Sequence, residues 1–351
     1  MTMILVEAVE HWAAALLRRA GLRPEHADSV AATLAFAEAR GVPTHGFMRL
    51  PIYLDRISSG GINSNPAIRV THDHGALVVL DADDAPGAAS GVMGADLAIE
   101  RAARHGIGCA IARDANHFGA SGYYTNRMAD ADLLGIAVCN TESVMCAPFG
   151  GRPVLGTNPL AVAVPLPRDR RPELDMATTT TSHGRIMMAE QAGKPIPTGW
   201  AVDARGRPTE SASAGLQGAL LPSGGPKGFG IAFAIDALLA LGGANTSPEV
   251  NALHGDPSRP QKLGQAFIAI RADLAEPLDG YRARIDRMLD AIHASGVDDE
   301  LPQPMAPGEP ELVRTRTLAG RVAFGDGLVA TLTRLADAAG VPFPELSAAS
   351  S

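Results

Sequence analysis

The stretch from Asp114 to Pro165 decides how this chain is read: DANHFGASGYYTNRMADADLLGIAVCNTESVMCAPFGGRPVLGTNPLAVAVP. It sets His117 in a turn of small residues, directly after the strand-like run Gly108-Cys109-Ala110-Ile111-Ala112. A turn at the end of a strand is where a scaffold presents a titratable group to a ligand. A helical pattern follows, then a buried apolar run, and then a polar Gly156-Thr157-Asn158-Pro159 loop that feeds another strand. Upstream, residues 89–104 (ASGVMGADLAIERAAR) have helical period and lead through His105-Gly106 into the strand before His117, which makes one strand-helix-strand unit. No Gly-x-Gly-x-x-Gly follows a strand and opens a helix. The nearest approach, Gly106-Ile107-Gly108-Cys109, runs into a strand, so a Rossmann half is not expected.

With 351 residues the chain exceeds the size at which one core keeps growing, so two domains, or one with a wrapped second layer, are expected. A net charge of -8 and no run of five basic residues argue against a nucleic-acid partner. The cysteines are odd in number, and Cys109 and Cys139 sit in apolar runs where a thiol behaves as a small hydrophobe; Cys146 is the third. A reducing cytoplasm suits this pattern. The long apolar run Phe229–Gly242 contains Asp236 and has core-helix length, so no membrane span is expected. Glu7 and Glu10 follow the apolar start at once, and no signal peptide is expected either.

From the N-terminus, Val6, Trp12, Ala13, Leu16, Leu17 and Ala20 recur at spacings of three and four and predict a helix ended by Gly21. Pro24 opens a second helix, His26 to about Arg40, which Gly41 stops. These helices deliver Thr44-His45-Gly46-Phe47-Met48-Arg49-Leu50-Pro51-Ile52-Tyr53. There His45, Arg49 and Tyr53 share one face if the segment is helical, although Pro51 interrupts such a helix. A histidine, an arginine and a tyrosine together suit a carboxylate-bearing substrate and give His117 the partner that a lone histidine lacks. After the turn Ser58-Ser59-Gly60-Gly61 the character changes to short strands, with a boundary near residue 71.

Farther on, Asp175 ends a buried strand before the hydroxyl-rich run Thr178–Thr181. A carboxylate there is costly unless hydrogen-bonded, so it is either an acceptor for loop N–H groups or a ligand contact. The loop Leu221–Gly230 precedes an apolar helix, Ile231–Leu241. Its glycines and Lys227 would suit a phosphate at the helix N-terminus, with a tight loop packed on a sheet as the alternative, since the run fails the GxxxxGK[ST] pattern. Leu278–Ala294 predicts an amphipathic helix with Arg282, Arg284 and Arg287 on its polar side. From about Pro302 the chain should wrap back on the N-terminal helices and end in a helix over Leu328–Ala339. His72 and His74 fall in a solvated turn, and no metal site is expected.

Taken together, THGFMRLPIY (44–53), NHFGASGYY (116–124), APFGG (147–151), GTNPLAVAVP (156–165), DMATT (175–179), PTGWAVD (197–203) and LPSGGPKGFG (221–230) resemble the malate/L-lactate/ureidoglycolate dehydrogenase family. These are NAD(P)-dependent oxidoreductases distinct from the Rossmann-type lactate and malate dehydrogenases, and cyclic imine carboxylate reductases belong with them. The resemblance implies an α+β fold: a non-Rossmann NAD(P)-binding domain on a largely antiparallel sheet, residues 72–279, and a helical domain from residues 1–71 and 280–351. It implies a homodimer with active sites near the subunit interface.

By motif, His117 matches the family's acid/base histidine, with His45 beside it, and Arg49, Thr44 and Tyr53 fall in the substrate pocket. Thr44 stands where the family usually has serine. Thr141, Asn158, Asp175, Met176, Ala177, Gly225, Lys227 and Gly228 match cofactor contacts. The expected reaction is hydride transfer between NAD or NADP and C2 of a small 2-hydroxy or 2-oxo acid of malate, lactate, ureidoglycolate or sulfolactate type, with reduction of a cyclic or N-alkyl imine carboxylate as the alternative. Arg185 and Arg205 are candidate ligands for a 2'-phosphate.

Overall fold

The two ends of the chain are built into one layer. Strand β1 (Thr2–Leu5) runs directly into α1 (Val6–Arg19), and α2 (Pro24–Ala39) follows a turn at Gly21, whose φ of +101° favours glycine. In this computed structural model, which describes residues 2–298 and 300–345, α1 buries Val9, Trp12, Ala13, Leu16 and Leu17 against Val30, Ala31 and Leu34 of α2. Pro51 does not interrupt a helix. The Thr44–Arg49 stretch is two 3-10 turns, Pro43–His45 and Phe47–Arg49, and Pro51 sits in the first turn of α3 (Leu50–Ser59), where an N–H is not needed.

The middle of the chain follows as β2 (Arg69–Asp73), β3 (Leu77–Asp81), α4 (Gly87–His105), β4 (Ile107–Ala115), α5 (Gly122–Asp130), β5 (Leu133–Cys139), β6 (Met145–Cys146), β7 (Pro153–Leu155), β8 (Leu160–Ala163) and β9 (Glu173–Met176). Next come α6 (His183–Gln191), β10 (Ala201–Val202), β11 (Pro208–Thr209), α7 (Ala212–Gln217), β12 (Ala219–Leu220), α8 (Pro226–Ala240) and β13 (Leu263–Arg271). The C-terminal part holds α9 (Leu278–His293), α10 (Glu309–Leu318), β14 (Arg321–Phe324) and α11 (Asp326–Ala339).

The main sheet has the order β2-β3-β4-β13-β5-β8-β9. Every pairing in it is antiparallel except β3 with β4, which α4 joins as a crossover, so the fold is α+β on a largely antiparallel sheet. Alternate residues of the central strands face opposite layers. Phe267, Ala269 and Ala137 meet Ala95, Ala98, Tyr124 and Met128 of α4 and α5, whereas Ala266, Ile111 and Val138 meet Ile235 and Leu239 of α8. Gly108 has a packing role. A Cβ there would lie 2.0 Å from the Ala98 carbonyl, so this glycine lets α4 close on β4 instead of cradling a phosphate.

A smaller sheet, β11-β10-β12-β6-β7, carries the loops near α6. β1 pairs antiparallel with β14, and Val322, Phe324 and Leu332 join the core of α1–α3, which brings the C-terminal segment back to the N-terminal helices. Helix α9 buries no residue. Its Arg282 is not a free polar-face charge, because it donates to the Pro165 carbonyl at 3.0 Å and pairs with Asp132 at 2.7 Å. Among the described residues no helix is long and apolar enough to cross a membrane.

Candidate active site

A cleft of about 790 Å³ opens between the N-terminal helices and the edge of the main sheet. Its wall includes Thr44, His45 and Arg49 from the 3-10 turns, His117 from the turn after β4, and Asp175–Ala177 from the end of β9. Glu38 of α2 fixes the turns: its Oε2 accepts the Phe47 N–H at 3.0 Å, and Gly46 leaves room for it, since a Cβ there would lie 2.0 Å from that oxygen. Burial pushes this carboxyl up to about 7, against the Phe47 N–H and the Arg314 charge, which pull it down.

At one end of the cleft the rings of His45 and His117 stack with centroids 5.6 Å apart. Tyr53 is buried and reaches His117 from behind, its hydroxyl 2.6 Å from Nδ1; the Gly119 N–H lies 3.3 Å from the same nitrogen. A backbone N–H only donates, so Nδ1 accepts and the neutral ring carries its proton on Nε2. Arg49 donates from Nε to the Thr44 carbonyl at 2.6 Å and from Nη1 to Nε2 of His254 at 2.9 Å. Arg56, fully buried, holds the loop of His254 by donating to the carbonyls of Leu253, Asp256 and Arg259.

This end keeps its imidazoles neutral. Burial and then Arg49 depress His45 to about 3, and the same causes with His45 and His254 hold His117 well below the ordinary 6.5. Burial, Arg49 and His183 lower His254 to about 4, although this ring is exposed on its outer side and solvent moderates the effect. Asp175 is open to water along the cleft and enclosed by protein elsewhere. Burial pushes its carboxyl up to about 7, the Gly122 N–H at 2.8 Å pulls it back, Glu173 pushes it up again, and cleft water screens all three.

The remaining sequence-based candidates separate. Thr141 lies on the wall, its N–H donating to Asn158 Oδ1 at 3.1 Å. Asn158 lies behind the wall, fully buried, with Nδ2 on the Ala232 carbonyl at 3.0 Å, so its polar groups are spent on holding loops together. Of the Leu221–Gly230 loop the wall takes in Ser223, while Gly225, Lys227 and Gly228 stand outside it. Lys227 is exposed. A Cβ at Gly228 would lie 2.4 Å from the Thr178 carbonyl, which is the tight packing that the alternative reading of this loop describes.

Other wall residues were not read from the sequence as site residues: Ser121, Glu142, Thr181, His183, His254 and Glu311. His254 lies in the polar stretch Asn245–Pro260, which reads as a connection, and only the fold brings it to Arg49. Ser121 Oγ and Thr181 Oγ1 are buried on this wall with no hydrogen-bond partner among the described residues. Orphaned hydroxyls in a cleft of this size fit an elongated polar ligand of dinucleotide type. Among the described residues no three His, Cys, Asp or Glu side chains are grouped as a metal site.

Residues 4–332 match the family model described as malate/L-lactate dehydrogenase. The chain belongs to the malate/L-lactate dehydrogenase family. It is 37% identical over 281 residues to L-sulfolactate dehydrogenase of Methanocaldococcus jannaschii, covering 80% of this chain and 81% of that one. The solved structure of sulfolactate dehydrogenase from that organism superposes with a TM-score of 0.89 at 32% identity, covering 97% and 98% of the two chains. Ureidoglycolate dehydrogenase (NAD(+)) of Escherichia coli K12 is 34% identical over 305 residues, 86% of each chain. The structure of delta1-piperideine-2-carboxylate reductase from Pseudomonas syringae pvar. tomato matches with a TM-score of 0.85 at 26% identity, covering 95% of this chain and 100% of that one. As a member of this family the protein is an oxidoreductase, a dehydrogenase acting on CH–OH donors.

Proposed function

We propose that this dehydrogenase binds the carboxylate of a small 2-hydroxy or 2-oxo acid on Arg49 and moves the proton of its C2 oxygen through His117. The reaction is NAD(P)-dependent oxidation of a 2-hydroxy acid and its reverse. The bound nicotinamide supplies or takes up the hydride; the chain's residues supply placement and proton transfer. One observation carries the reading: the short motif with His45, Arg49 and Tyr53 meets His117, 64 positions beyond Tyr53, with His45, Arg49 and His117 on the cleft wall and Tyr53 behind the His117 ring.

The planar guanidinium of Arg49 offers a carboxylate two parallel hydrogen bonds and sets the direction in which C2 faces. Pairing also cancels the positive charge that, after burial, is the largest cause of the low His117 basicity. The ring then takes up a second proton from water at Nδ1, the Tyr53 hydroxyl turning to accept it, and gives the Nε2 proton to the alkoxide that hydride delivery to C2 leaves. His45 stacks on the ring, and Thr44, whose carbonyl anchors Arg49, fixes the guanidinium. Thr141, Asp175, Met176 and Ala177 line the wall that would take the cofactor.

A homodimer in the cytoplasm is part of this proposal. Helix α8 leaves Ile231 and Phe233 exposed, Leu241 just after it is exposed and Phe149 is fully exposed, large apolar side chains of the kind that a second subunit covers; Cys109, Cys139 and Cys146 are free thiols. Following the nicotinamide absorbance with a panel of 2-oxo acids and cyclic imine carboxylates tests the reaction. Turnover of the 2-oxo acids, abolished in His117→Ala, is expected; turnover of the imines alone would move the substrate to the C=N class that the Pseudomonas reductase is named for.

A further inference from the structure

We infer that the cleft selects NAD(H) over NADP(H), through Asp175, Glu173 and Glu311 at the end remote from Arg49. The inference rests on the reading that the nicotinamide lies beside His117, which sends the adenosine half of the cofactor toward that far end.

The two ends of the cleft differ in charge. Around the substrate end stand Arg49, His183, Arg185 and His254, with the Glu142 carboxylate facing Arg49. Gly184 abuts that end, since a Cβ there would lie 3.1 Å from Thr44 Cγ2 and 3.7 Å from Arg49 Nη2. At the far end the wall is Glu173 and Asp175 of β9, Glu311 of α10, the Pro307-Gly308 turn and Arg40 of α2. Arg40 is already committed: its Nη2 lies 2.8 Å from Glu173 Oε2, with side chains only 11% and 3% exposed. Asp175 spends Oδ2 on the Gly122 N–H and keeps its other oxygen for a ligand.

A second observation marks this end as a ligand site. Ser121, 1% exposed, lines the cleft beside Gly122, and its Oγ has no partner among the described residues. A ribose diol offers two O–H donors to carboxylates and an acceptor to a serine hydroxyl, so the set matches an unmodified adenosine ribose. A 2'-phosphate would bring a charge of about -1.5 to -2 beside three carboxylates, where the arginine on the wall, Arg40, is engaged by Glu173 and Arg314 of α10 stands off the wall against Gly41. Neither Arg185 nor Arg205, the two cations that the sequence offers for that phosphate, belongs to this end. Arg185 begins α6 at the substrate end, its N–H on Ser182 Oγ at 3.2 Å, and Arg205 sits on the β10–β11 hairpin off the cleft wall, its N–H held by Asp203 at 2.9 Å.

Equilibrium titration of NADH and of NADPH into the substrate-free enzyme, followed by calorimetry, tests this without relying on turnover. The expected result is NADH bound at least about tenfold more tightly, with Glu311→Arg and Asp175→Asn each narrowing that ratio about tenfold. Unliganded melting curves of the variants check that they fold, and the wild-type ratio decides the matter without them. NADPH bound as tightly as NADH would overturn the selectivity while leaving the cleft as the cofactor site. Binding of neither nucleotide would sink the cofactor reading and the selectivity together.

Discussion

The hydroxyl of Tyr53 lies 2.6 Å from Nδ1 of His117, and the Gly119 N–H addresses the same nitrogen. Tyr53 therefore acts on the ring and not on the cleft. Tyr53→Phe is expected to lower kcat about tenfold, the worth of one neutral hydrogen bond, with little change in KM. Steady-state kinetics check this, and a rise in KM at constant kcat would make Tyr53 a substrate contact instead.

Arg49→Lys keeps the charge and loses the fork. The substitution should leave NADH affinity intact and lower kcat/KM for the 2-oxo acid by roughly 10- to 150-fold, the range for one charge-assisted hydrogen bond. Fluorescence titration of the cofactor beside initial-rate kinetics separates the two effects. Lost NADH binding with normal substrate handling would put Arg49 on the cofactor.

Glu38 makes stability depend on pH. Its folded value, about 7, lies above the ordinary 4.5, so its contribution is present in full below 4.5 and is lost as pH rises through 7. Glu38→Gln keeps the acceptor for the Phe47 N–H and removes the buried charge. Relative to the wild type it should gain stability between pH 5 and pH 8, by at most about 3 kcal/mol. Melting curves across that range measure it, and a gap that shrinks with pH reverses the sign and refutes the assignment.

Arg56 reaches the substrate end through a loop. Arg56→Met strands the carbonyls of Leu253, Asp256 and Arg259 and frees His254. A loss of about 3 kcal/mol in urea unfolding is expected, with KM for the 2-oxo acid raised more than kcat is lowered. His254→Ala should reproduce the KM effect without the stability loss.

How much of this was legible in the sequence differs from residue to residue. Helices α1 and α2 were written in the three-and-four spacing of Trp12, Leu16, Leu17, Val30 and Leu34, because an amphipathic face is a local pattern. The crossover through α4 and the absence of a phosphate-binding glycine turn were legible for the same reason. Arg49 and His45 stood in one short motif. His254, Arg56 and Ser121 were not visible, because their roles come from contacts across the fold, such as the Arg49–His254 pair 205 positions apart. The Lys227 loop reads two ways in sequence, because glycines before a helix serve phosphate binding and tight packing alike; the fold adds that Gly228 lies close to the Thr178 carbonyl and that Lys227 is exposed off the cleft wall.

The pairing of Thr2 with Phe324 orders events during synthesis. β1 emerges from the ribosome before every other element described, and its hydrogen-bonding edge stays vacant until β14 has been made. The main sheet, which is complete once β13 ends at Arg271, has its strands available well before then. Glu311 and Gly308 of the cleft wall arrive in the same late segment as β14. A nascent chain thus acquires its sheet before its cleft, and its first four-residue strand waits longest, a template for a neighbouring chain for as long as it waits.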